Sequence, residues 1–169
     1  MDARSLFPLT VAYLGGAAPA ARTPAEFVRA VCEAHARGDI PSRAARDLAQ
    51  YEALLQELRP ARVADPGPLP RDDEAVVLAP SVRVLVYGAD LPGMLAALRE
   101  GKAPTPRPAR GWIVAWRDAG GELREHLLLR EEGWILERFR QPATPGDALE
   151  DEEREDFAAL WKLGVLRQA

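Results

Sequence analysis

Apolar residues recur along this chain at two spacings, and the switches between them mark out its segments. In TPAEFVRAVCEAHARG, residues Phe27, Val28, Val31 and Ala34 or His35 fall at three- and four-residue steps, the stripe of an amphipathic helix. Thr23 stands three residues before Glu26 with Pro24 between them, so the segment opens with a capping box and proline at the first helical position. Gly38 ends it. A second helix is predicted after Ser42, where Leu48, Tyr51, Leu55 and Leu58 keep the same step, and FPLTVAYLGG before them supplies a short extra helix. The spacing then becomes two. Val82, Val84 and Val86 alternate with Arg83, Leu85 and Tyr87, as in a strand. Asp90 caps a helix through LPGMLAALREG, and further helices are predicted over EEGWILERFRQ, after Thr144-Pro145, and around Phe157, Leu160 and Trp161.

Between the spacings lies RPARVADPGPLPRDDE, rich in proline and charge, which reads as a linker. The expected class is α+β: a helical N-terminal lobe over residues 1–60, a proline-rich linker over 61–75, and an α+β lobe over 76–169. The last holds a small, mostly antiparallel three-stranded sheet packed with helices. Its centre is a hairpin over residues 112–129 in GWIVAWRDAGGELREHLLLR. A loop of Gly120-Gly121, or of the four residues Asp118 to Gly121, gives one grouping of side chains. Trp112, Val114, Trp116, Leu123, Glu125, Leu127 and Leu129 share one face, expected to be core. Ile113, Ala115, Arg117, Arg124, His126 and Leu128 share the other, mixed and partly covered. The sheet's edges offer backbone N–H and C=O groups to an extended peptide, and which strand is central stays open.

Composition narrows the function. With 169 residues, 47% of them hydrophobic, the chain can bury a core. A net charge of -4 argues against general nucleic-acid binding, which draws on a basic surface. Nothing in the chain is long and apolar enough to suggest a membrane span. Asp2 and the interruptions Pro8, Thr10, Gly15 and Gly16 argue against a secretory signal, so a cytoplasmic location is expected. Cys32 is the only cysteine. With His35 it has metal-ligand spacing on a helix, but a packed face accounts for the pair, and no cofactor or metal is expected. No GxSxG, Walker, GxGxxG or HExxH pattern occurs. The acidic run GDALEDEERED reads as a solvated helix start, with a docking face for a basic partner as the alternative, and the cluster Arg99, Lys102, Arg107 and Arg110 as a solubilising loop, with an acidic peptide or protein as the alternative partner. The chain reads as a binding module, not an enzyme.

Several short elements of the second lobe resemble a known family. They are Pro-Ser-Val-Arg at Pro80 to Arg83, Trp116-Arg117 closing a strand, the helix after the hairpin, Pro-Gly-Asp-Ala-Leu from Pro145, and Leu-Trp-x-x-Gly from Leu160. Their order and spacing resemble the C-terminal half of HvfC/MbnC-type proteins. The resemblance implies a non-catalytic partner of MbnB/HvfB-type TIM-barrel oxygenases, with the iron held by that enzyme alone. The pair would modify cysteines of a ribosomally made precursor peptide, whose leader adds as a strand to the small protein's sheet. The residues expected at the strand edges and mixed face are Arg83, Leu85, Tyr87, Ile113, Ala115, Arg117, Arg124 and His126. A winged-helix-like DNA-binding regulator, with Arg117 and Arg124 on phosphates, is the alternative reading.

Overall fold

The computed structural model describes residues 3–40, 43–58, 67–118 and 120–169. Ser42, expected to precede the second helix, and residues 61–66 of the expected linker lie outside them. In chain order the elements are α1 (Pro8–Leu14), α2 (Pro24–Arg37), α3 (Arg43–Glu57), β1 (Val76–Leu78), β2 (Arg83–Ala89), α4 (Leu91–Arg99), β3 (Pro108–Arg117), β4 (Leu123–Leu128), α5 (Arg130–Arg138), α6 (Pro145–Ala148), α7 (Arg154–Lys162) and β5 (Leu166–Gln168). The chain is of the expected α+β class, with an antiparallel β3–β4 pair inside a sheet of order β2-β3-β4. A second sheet, β1-β5, was not expected.

The chain forms two compact units, and each is composite. One comprises Met1–Glu57 with Leu85–Arg110, the other Leu58–Val84 with Gly111–Ala169. The expected divisions at residues 60 and 76 do not mark them, because the end of β2 and all of α4 group with the N-terminal helices.

In the first unit, α2 starts as its capping box dictates: Thr23 accepts from the Glu26 N–H and Glu26 reaches back to the Thr23 N–H. Gly38 ends it in the left-handed conformation at φ 80°. Phe7 stacks on Phe27 with ring centroids 4.4 Å apart, above Val31, Ile40, Ala45 and Ala49. Helix α3 organises the rest through side chains sent to three other elements. The buried Asp47 carboxylate accepts from the Gly88 and Ala89 N–H groups at 2.7 and 2.9 Å, at the end of β2. The buried Tyr51 hydroxyl accepts from Arg99 of α4 at 3.1 Å. Glu52 caps α1, whose own N-cap, Phe7, has no side chain able to do so. Its carboxylate takes the Leu9 and Thr10 N–H groups at 2.7 and 2.8 Å and the Thr10 hydroxyl at 2.6 Å. These are the orphan donors of a helix start, satisfied from another helix.

In the second unit, β1 pairs antiparallel with β5 in the register Val76↔Gln168, Val77↔Arg167 and Leu78↔Leu166. Its other side bonds the chain after α5, through Val76 with Ala143 and the Leu78 N–H with the Phe139 carbonyl. Phe139, Phe157 and Trp161 form a run of buried rings 5.3 and 6.4 Å apart. Trp161 also donates to the Gly67 carbonyl at 3.3 Å. Phe157, Leu160 and Trp161 are all buried, the face expected from their spacing.

Replacing Asp47 by Ala strands two backbone donors without their charged acceptor. Urea denaturation should show a loss of about 3 kcal/mol, with part recovered by Asp47→Asn. Glu52 carries a pH dependence. Burial pushes its carboxyl above the usual value, outweighing the hydrogen bonds from Thr10 and Leu9 that pull it down. The folded chain therefore holds the proton more tightly than the unfolded one. The resulting stabilisation is complete below the unfolded value and is lost as pH rises through the folded value. Glu52→Gln has no such titration, so the stability advantage of the native chain over this variant should shrink as urea midpoints are measured from pH 4 towards pH 7, values on the order of the carboxylate range and above.

Candidate functional site: the edge of the three-stranded sheet

The site begins with the loop joining β3 to β4. The last strand pair is Arg117↔Leu123, so five residues, Asp118 to Glu122, lie between the strands. The Gly121 N–H bonds the Asp118 carbonyl at 2.9 Å and the Asp118 N–H bonds the Glu122 carbonyl at 3.0 Å. Gly121 sits at φ 84°, the left-handed position that a bulged hairpin loop assigns to glycine. The Asp118 carboxylate binds the Gly120 and Glu122 N–H groups and the Arg124 guanidinium. The Arg124 hydrogen bond, with help from those N–H groups, holds the Asp118 carboxyl below its usual range.

That odd loop corrects the expected grouping of side chains. Trp112 pairs with Leu128, Val114 with His126, and Trp116 with Arg124; Ile113 pairs with Leu127, Ala115 with Glu125, and Arg117 with Leu123. Directly opposed residues share a face, so every β4 side chain lies on the face opposite to the one an even loop assigns. Trp112, Val114 and Leu128 are core as a group; His126 and Arg124 stand on their side. Leu123, Glu125 and Leu127 join Ile113 and Ala115.

Helix α5 is held against the Trp112 face. Gly133 lies so close that a Cβ there would stand 2.5 Å from the Trp112 ring, and Trp134 tilts against the same ring at 5.7 Å. Glu132, buried, caps the helix by accepting from the Leu129 N–H at 2.7 Å, and its carboxylate lies 3.9 Å from His126 Nε2.

The structure separates the eight expected site residues. Ile113 and Ala115 are buried on the central strand, so the mixed face is closed along β3 and neither residue can line an edge. Arg83, Leu85 and Tyr87 lie on edge strand β2. The Arg83 guanidinium folds back onto the Pro80 and Val82 carbonyls, and Tyr87 is buried, with its hydroxyl pKa raised by that burial and by Asp90. Arg117 donates to the Gly121 carbonyl and Arg124 pairs with Asp118 and Glu122, so both serve the loop. Only Arg124 and His126 are brought together with the edge of β4.

Strand β4 is the other edge, and its backbone alternation follows from the loop. The Asp118–Glu122 bond makes that a hydrogen-bonded pair, so by alternation Arg124, His126 and Leu128 turn their backbone groups towards β3. Leu123, Glu125 and Leu127 direct theirs outward. These three are candidate positions that the sequence reading did not name; the glycine pair in Asp-Ala-Gly-Gly, compatible with a bulged loop, was the available signal. Three of the exposed large apolar side chains belong to β4 and the segment that follows it: Leu127 at 50%, Leu129 at 65% and Trp134 at 42%.

Among the described residues no group of three or more His, Cys, Asp or Glu side chains is placed to hold a metal ion. The His35 ring lies 3.3 Å from the Ile40 carbonyl, and burial raises the Cys32 thiol pKa above its usual value. Among the described residues no helix is long and apolar enough to cross a membrane. No protein-family model matches the chain, and no curated protein matches it.

The closeness of Gly133 to the Trp112 ring is testable. Gly133→Ala adds helix propensity but drives a methyl into a rigid buried indole, so the net effect should be a loss of about 2 kcal/mol, with altered tryptophan fluorescence.

Proposed function

We propose that this protein is a non-catalytic partner subunit that captures the leader of a ribosomally made precursor peptide by strand addition and presents it to an iron-dependent TIM-barrel oxygenase. The supporting observation is the place of β4 as the outer strand of the β2-β3-β4 sheet, with an exposed leucine, Leu127, on its outward row. Backbone pairing supplies affinity with little sequence demand, and side chains at alternate positions supply selectivity. Holding the precursor beside the enzyme raises the local concentration of its cysteine at the iron, with no chemistry asked of this chain. The HvfC/MbnC-type resemblance over the second half of the sequence supports the same division of labour. For a DNA-binding wing, by contrast, Arg117 and Arg124 are poorly disposed, since Arg124 is matched by Asp118 and Glu122.

Two experiments test the reading. Co-expression with a barrel oxygenase encoded beside it should give a complex that modifies the precursor. Equal binding and modification by the oxygenase alone would refute the role. Leu127→Pro removes one outward N–H on an edge strand, where proline is tolerated, and should weaken precursor binding about ten-fold or more while Leu127→Ala weakens it less.

A further inference from the structure

Resting on the reading that this chain partners an oxygenase, we infer that the enzyme grips it by the proline-rich loop from Lys102 to Arg107, in a groove lined by aromatic rings and edged by carboxylates. The loop reads Lys-Ala-Pro-Thr-Pro-Arg and runs on into Pro108 at the start of β3. Proline fixes φ at about −65° at positions 104, 106 and 108. A residue before proline is kept out of the helical region, which restrains Ala103, Thr105 and Arg107. Each residue from 103 to 108 is thus restrained locally, before any packing. The fold then pins both ends. The Lys102 N–H bonds the Ala97 carbonyl near the end of α4 at 2.9 Å, and the Arg107 carbonyl accepts from the N–H of Asp90, the N-cap of α4, at 2.8 Å. The loop therefore returns along α4. Asp90 and Ala97 stand about 10 Å apart along a helix rising about 1.5 Å per residue. An extended polyproline segment from Lys102 to Arg107 covers about 15 Å, enough to span that distance with little slack.

The chemistry of the loop selects its partner. Three prolines without N–H groups cannot add as a strand, so recognition falls to proline rings and side chains, the mode in which an extended polyproline segment docks on aromatic rings. A segment already fixed in its bound shape loses little entropy on docking. Pro104 is half-buried and lines a cleft of about 370 Å3 with Tyr13 and Leu98, whereas Ala103, Thr105, Pro106 and Arg107 are exposed. Charge sets the rim. Arg99 donates to Tyr51 and Lys102 pairs with Glu100. Arg107 makes no ion pair or side-chain hydrogen bond among the described residues, so its guanidinium is available to a carboxylate of the partner.

The test titrates the full chain against the immobilised barrel oxygenase encoded beside it, by biolayer interferometry. Arg107→Glu should weaken binding about ten-fold, with most of the affinity kept in Arg107→Lys. Pro106→Gly, which frees the backbone as well as removing the ring, should weaken it about five-fold and more than Pro106→Ala. The loop and β4 belong to different compact units, so precursor binding by the chain alone and its urea midpoint should stay unchanged in all four variants. If the native chain binds the oxygenase and the four variants bind it equally well, the loop as docking surface is overturned while the partner role stands. If the native chain does not bind the oxygenase, both are overturned.

Discussion

The Asp47 carboxylate is the constraint on which the first compact unit depends. One side chain of α3 takes the last two N–H groups of β2, forty residues further along the chain. Buried backbone donors without partners destabilise strongly, so this pairing locates the end of β2 against α3. The next residue, Asp90, then caps α4 through the Gly93 N–H, and its own N–H bonds the Arg107 carbonyl ahead of β3. Arg43, one turn before Asp47, lies directly over Gly88, where any Cβ would collide with its guanidinium. The strand end, the helix start and the approach to β3 are thus referred to one helix. This is why residues 85–110 belong with the N-terminal helices and not with the hairpin that follows them.

The elements with local causes were legible in the sequence. Helix α2 carries its own cap, stripe and stop within Thr23 to Gly38, and α4 carries Asp90. What escaped were features whose causes lie elsewhere in the chain. Asp47 and Glu52 look like ordinary polar positions of an amphipathic helix, and nothing local tells that they cap β2 and α1. The β1 and β5 strands have three residues each, too few to show alternation, and exist because Val76 to Leu78 find Leu166 to Gln168 across ninety residues. The strand VVLAPSVRVLVYG breaks at Pro80, and its two halves enter different sheets.

The hairpin that carries the candidate site was legible in the sequence, but its faces were misread, for a single geometric reason. Strand side chains have a period of two, so one residue of loop length moves a whole strand's side chains to the other face. Choosing an even loop put Arg124 and His126 beside Ile113 and Ala115. The left-handed Gly121 and the odd loop put Leu123, Glu125 and Leu127 there instead. The local sequence is compatible with both, and the energy difference lies in the packing: the observed register buries Leu128 beside Trp112 under Gly133, while the other would have buried the half-exposed Leu127.

The two edges of the sheet are not equivalent, and the difference bears on how the protein can act. At β2 the terminal N–H groups are already committed to Asp47, Tyr87 is buried and the Arg83 guanidinium is turned onto its own turn. A strand adding there would have to compete with contacts on which the fold relies. At β4 the inward-facing bonds belong to the hairpin, the loop is pinned by Asp118 and Arg124, and α5 is capped through Glu132. These supports of β4 lie at its two ends and on its inner side. A strand added at the outer side, as proposed, would leave these contacts in place, whereas one added at β2 would have to displace contacts that hold the fold.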